Sequence, residues 1–183
     1  MEYINQERDL LFDGVGVPDI VTDLQGRHAL IVVRGYHYKE DLVALRHYSR
    51  EYKPVLIGVD GGADALVEAG HRPGMIVGDM DSVSDDTLTC GAEIVVHAYR
   101  DGRAPGLAHV EELGVEHHVF AATGTSEDIA MLMADEAGAD DRLHRQQLLA
   151  LALQQPAERA AADGEFRKQR GLEERDVRRR RGL

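Results

Sequence analysis

The chain has 183 residues, 43% of them hydrophobic, with a formal net charge of -12 at pH 7. That acidity argues against a nucleic-acid-binding surface, and the absence of tryptophan with only 3 phenylalanines argues against aromatic platforms for single strands. Cys90 is the one cysteine, which excludes an intrachain disulfide and a cysteine-cluster zinc site and fits cytoplasmic conditions.

Residues 1–20 contain Tyr3, Leu10, Leu11 and Phe12, which suit a short amphipathic arm ended by Gly14, Gly16 and Pro18. No opening stretch joins a basic start to an apolar run, and none approaches the roughly 18 apolar residues of a membrane span. Neither a signal peptide nor a spanning helix is expected.

Residues 21–140 read as one α/β domain. His28 to Val33 (HALIVV) predicts a first strand, and Tyr38 through Tyr48 carries a helical pattern with Leu42 and Leu45 inward. Arg34 follows the strand end, where it can reach a phosphate or pair with a surface acid. Val55 to Val59 predicts a buried second strand that breaks at Asp60-Gly61-Gly62 into a helix reaching about Ala69. Met75 to Val77 predicts a third strand, running into Gly78-Asp79-Met80-Asp81-Ser82.

Two acidic tips thus follow two strands, and in a parallel sheet with helical crossovers they emerge on one edge. Three carboxylates gathered there, Asp60, Asp79 and Asp81, repel one another unless a cation lies between them. Oxygen ligands of this kind suit Mg²⁺, which keeps several waters and is completed by substrate phosphates. Gly61 and Gly62 would let backbone N–H groups approach a phosphate. The plainer alternative makes these residues only turn formers and helix caps.

Further along, Ser84 predicts a cap for a short helix finishing at Cys90-Gly91, and Glu93 to Ala98 (EIVVHA) predicts a fourth strand. Arg100 and Asp101 follow it, as a phosphate contact and a further edge carboxylate or as a charged turn. Arg103 through Leu113 suits a returning helix with Pro105 in its first turn. Glu116 to Ala121 predicts a fifth strand, and Thr125 or Ser126 caps a last helix whose first turn holds Glu127 and Asp128. Five βα-like units with short connections predict a layered, Rossmann-like parallel sheet flanked by helices. Neither a P-loop nor a GxGxxG fingerprint is present, which counts against an ordinary P-loop kinase or nicotinamide dehydrogenase.

Residues 141–183 differ in composition. They carry 11 Lys+Arg against 7 Asp+Glu, a net of +4, whereas the remainder has a net of -16. One helix before Pro156 and then charged helix or disorder is expected, in a tail that resembles a truncation, alternative boundary or out-of-frame extension.

The segments VDGGADAL, VGDMDSVSDD and ATGTSEDIA, in that order, resemble the catalytic domain of thiamine pyrophosphokinases. With ERDLLFDGVGVPD, VVRGYHYKEDL and HAYRDGRAPG added, residues 7 to 139 look more closely like actinobacterial SteA-type proteins of the cytokinetic ring. The resemblance implies a Mg²⁺- and ATP-binding edge, or one for another nucleotide. Asp60, Asp79, Asp81 and Glu127 would then occupy catalytic positions, with Asp60, Asp79, Asp81, Asp101 and Asp128 toward the metal. Arg34, Gly61, Gly62, Ser82, Arg100, Thr125 and Ser126 would lie toward the nucleotide.

Two departures matter. The lysine-aspartate pair usual in the kinases is replaced by Gly124-Thr125-Ser126-Glu127-Asp128, and the β-rich domain that completes the thiamine site has no counterpart here. The resemblance therefore implies a nucleotide-binding module of a bacterial cell-division protein, weakly catalytic or non-catalytic. Such a module would be cytoplasmic and recruited to the inner face of the membrane at the division site, with a division-protein partner and a homodimer as its associations. The alternative is a Mg²⁺-dependent thiamine diphosphokinase that transfers pyrophosphate from ATP to thiamine and releases AMP.

Overall fold

Runs of β-branched residues flanked by turn formers give five short strands. In a computed structural model that describes residues 18–139, β1 spans Ala29–Val33, β2 Val55–Val59, β3 Met75–Gly78, β4 Glu93–Ala98 and β5 His117–Ala121. All neighbours pair in parallel in the order β1-β2-β3-β4-β5, with Ile31 opposite Ile57, Ile57 opposite Met75, and Val95 opposite His118. The expected basic tail and all but the end of the expected arm lie outside the described residues. Among those described, no helix is long and apolar enough to cross a membrane.

A sheet whose strands follow chain order has a specific consequence. Right-handed crossovers that always step in the same direction place their helices on one face. That face holds α1 (Tyr38–Ala44), α2 (Arg46–Tyr52), α3 (Gly61–Glu68), α4 (Asp85–Leu88) and α5 (Leu107–Glu112). Its core joins Leu30, Val32, Leu42 and Leu66 at one end to Ile76, Leu88, Ile94 and Val110 at the other.

The opposite face is covered by α6 (Ser126–Glu136), whose Ile129, Ala130, Met133 and Ala134 are fully buried against Ile31, Ile57, Val59 and Val77. Each fully buried Ile, Val or Met side chain contributes about 1.5–3 kcal/mol of transfer free energy. Strands buried on both faces explain why these runs are continuously apolar rather than alternating.

Three helices differ from their predicted extents. The helix expected over Tyr38–Tyr48 breaks at Leu45, whose backbone flattens to ψ 0°, and α2 continues from there without burying any residue. The one expected from Arg103 starts only at Leu107, because the Arg103 N–H is taken by the Asp101 carboxylate and the Gly106 N–H by the Asp79 carbonyl. In α4 the ordered turn ends at Leu88, and the Thr89 hydroxyl closes on the Asp85 carbonyl.

Candidate functional site

The carboxyl ends of β2 and β3 carry Asp60 and Asp79. At Asp60 the chain turns sharply from strand to helix with φ 46° and ψ -126°, a conformation that costs a non-glycine residue about 1–3 kcal/mol. Glycines on both sides make this turn possible. A Cβ on Gly58 would run into Ala63, and one on Gly62 would run into the Val32 carbonyl. Both glycines therefore serve the close approach of α3 to the sheet. Gly61 and Gly62 are both buried, and the lack of a side chain at Gly62 is required by its packing against Val32.

Gly78 has a different reason. A Cβ there would occupy the place of the Asp60 carboxylate. Its absence lets the Asp60 side chain lie across the end of β3, where Oδ1 accepts the backbone N–H of Asp79 at 2.9 Å. The Asp79 carboxylate in turn accepts the N–H of Asp81 at 3.1 Å, and Asp81 is exposed. Ser82 Oγ comes close to Gly61, on the side where the stem of Arg34 also passes.

The opposite helix layer closes on the same point. The Ser126 side chain hydrogen-bonds to Asp60, and Glu127 lies near enough to act on its charge. Burial, first, and the Asp79 carboxylate, second, push Asp60 up from 3.8 to about 6; the Asp79 N–H and Ser126 partly offset them, while Glu127 adds to the rise. Asp60, Asp79, Ser126 and Glu127 thus form one electrostatic unit between α3 and α6.

His97 extends that unit. The residue pattern along β4 gives it no special role, since it occupies an alternating strand position. Its Nδ1 lies 3.3 Å from Ser126 Oγ and its Nε2 lies 3.2 Å from the Ala122 carbonyl. A carbonyl only accepts, so the Nε2 contact places a hydrogen on Nε2 and leaves Nδ1 of a neutral ring to compete with Asp60 for the Ser126 hydroxyl hydrogen. That one hydrogen cannot also serve an ionised Asp60.

Other predicted site residues have local partners. Arg34 donates to Glu68 at 2.7 Å, and Tyr38 donates to the same carboxylate at 2.9 Å. Asp101 is bound by the Arg103 guanidinium at 2.7 Å, on a fully exposed turn that also carries Arg100. Asp128 completes a capping box: it accepts the N–H of Thr125, whose hydroxyl oxygen accepts the N–H of Asp128. The loop after β4 reaches the site through Gly106, whose N–H donates to the Asp79 carbonyl at 3.1 Å.

Asp64 is a positioning residue that the sequence pattern did not single out. One helical turn beyond Asp60, its carboxylate receives the Ser84 hydroxyl at 2.6 Å, the Thr87 hydroxyl at 2.6 Å and the Ser84 N–H. It fastens the end of the acidic loop to α3. Burial pushes Asp64 up, but these hydrogen bonds more than offset it and hold it below the ordinary carboxylate value. Its i, i+4 spacing from Asp60 was the signal available in the sequence.

Among the described residues, no group of three or more His, Cys, Asp or Glu side chains is gathered as a metal cage. The donor set instead suits an ion that needs one or two carboxylates and completes its shell with water and substrate oxygens, as Mg²⁺ does. Asp60 and Asp79 are the pair that fit this role. No protein-family model matches the chain, and no curated protein matches it.

Proposed function

We propose that the carboxyl edge of the sheet binds a Mg²⁺-chelated nucleotide through its phosphates, as the nucleotide-binding module of a bacterial cell-division protein. The observation that carries this reading is the packing of the Asp60 carboxylate against the Asp79 tip, where burial and like charge push Asp60 up to about 6. A cation held by Asp60 and Asp79 relieves that repulsion and neutralises phosphate oxygens. Asp64 and Gly106 keep the Asp79 loop in place, and the α6 amino terminus faces the same edge with Ser126.

The ordered resemblance of the DGG, GDMDS and GTSEDIA segments to thiamine pyrophosphokinase domains supports the nucleotide, and the longer SteA-like context supports the division role. Weak or absent transfer chemistry follows from the cations. The kinase lysine has no counterpart, and Arg34, whose stem passes beside Gly61, is paired with Glu68. A diffuse negative charge developing on a transferred group would find little positive charge here. The second reading, thiamine diphosphokinase activity, rests on Asp60, Asp79 and Glu127 occupying the family's acidic positions.

Calorimetric titration with ATP, with and without Mg²⁺, tests the proposal. Saturable binding that requires Mg²⁺ and is lost in Asp79→Asn is expected; absence of saturable binding, or binding indifferent to both, overturns it. Product analysis with thiamine in the same samples separates the two readings, since AMP with thiamine diphosphate establishes the kinase.

A further inference from the structure

A second concavity lies on the crossover face, away from the acidic edge. It occupies about 530 Å³ between α1, α2 and the carboxyl half of α3, within the range of small-molecule sites. Its origin is the break at Leu45. Because α2 buries no residue of its own, it arches past the sheet without filling the space beneath it, and Leu56 of β2 is left only partly buried.

The lining divides by chemistry. Leu42, Leu56 and Ala65 supply an apolar floor, while Lys39, Arg46 and Arg50 supply cations. Arg46 and Arg50 stand at i and i+4, on one face of α2, a like-charge spacing that disfavours an isolated helix. Neither has an acidic partner among the described residues. Glu68 is the one acid in the lining, and it already accepts Arg34 and Tyr38 and lies 4.0 Å from Lys39. In a chain whose net charge is -12, this is a local reversal of sign over an apolar floor.

We propose that this cavity is a separate ligand site for a small amphiphilic anion, its apolar body on Leu42, Leu56 and Ala65 and its phosphate or carboxylate group against Arg46, Arg50 and Lys39. The site has the apolar lining and few convergent polar groups of an ordinary ligand pocket. The guanidinium forks of two arginines favour a planar or tetrahedral oxyanion over a point charge. This assignment is independent of the nucleotide reading, because neither face shares these cations with Asp60 or Asp79.

Titration of the isotope-labelled chain with hexyl phosphate, followed by amide chemical shifts, tests it, with inorganic phosphate and hexanol as separate probes. Saturable shifts in residues 38–50, 54–56 and 65–71 are expected, with affinity about tenfold or more above either separate probe. The double variant Arg46→Gln/Arg50→Gln should weaken binding by about tenfold or more with unfolding midpoint retained, whereas Lys53→Gln, outside the cavity, should leave it unchanged. Should the double variant unfold, Arg50→Gln alone is expected to lose part of the affinity. No saturation, equal binding by the variants, or shifts centred on residues 60 and 79 overturns the proposal. So does binding confined to phosphatidylglycerol vesicles, which would make the patch a membrane contact in place of a soluble-ligand site.

Discussion

The Asp60 carboxylate accepts the backbone N–H of Asp79 at 2.9 Å, so one charged side chain ties the tip of β2 to the tip of β3. The same carboxylate is held from the opposite layer by Ser126. Its position, rather than the number of acids in the sequence, defines the edge.

Asp60 is raised from 3.8 to about 6 in the folded chain, so its ionisation opposes folding. The penalty is present above about pH 6 and absent below about pH 4; stability from this group therefore rises as pH falls through that window. Asp60→Asn is expected to stabilise the chain at pH 7 by about 1–2 kcal/mol after solvent screening, with no gain at pH 4. Urea unfolding at the two pH values, without divalent cations, checks this; equal effects at both would contradict it.

Gly78→Ala sets a Cβ against the Asp60 carboxylate. We expect a loss of about 2 kcal/mol or more. The loss should shrink in Asp60→Gly/Gly78→Ala, which removes the obstructing group and relaxes the positive φ at residue 60. A double-mutant cycle by urea unfolding measures the coupling, and additive losses would show that the two residues do not meet.

Asp64→Ala strands the Ser84 and Thr87 donors. The expected cost is about 1–3 kcal/mol, with faster amide exchange across residues 79–87. Its pH dependence has the opposite sign to that of Asp60: Asp64 lies below its ordinary value, so its contribution is present at neutral pH and lost as pH falls through the folded value. Unchanged exchange in the loop would count against its positioning role.

Ser126→Ala removes a hydrogen bond that holds Asp60 down. The Asp60 titration, followed by carboxyl carbon NMR, should move above about 6. The His97 ring, which loses its Nδ1 partner, should change its imidazole nitrogen shifts in the same variant. A titration that stays in place would separate Ser126 from the acidic edge.

Period and punctuation alone determined much of this protein. Val55–Val59 and Glu93–Ala98 appear as strands at their predicted bounds, because β-branched runs between turn formers have few other ways to bury themselves. Asp60 and Asp79 were legible as strand-end acids for the same reason. Tertiary structure decided what each acid does. Asp101 and Asp128 were each open in sequence to an edge-carboxylate reading and to a local one, and in the fold one is paired with Arg103 and the other caps α6. Arg34 pairs with Glu68, 34 positions away, and Gly78 is required by a carboxylate from the neighbouring strand. These outcomes depend on which side chains the sequential β1-β2-β3-β4-β5 order brings within hydrogen-bond reach, and hydrogen bonds act over about 3 Å while sequence patterns report only local periodicity.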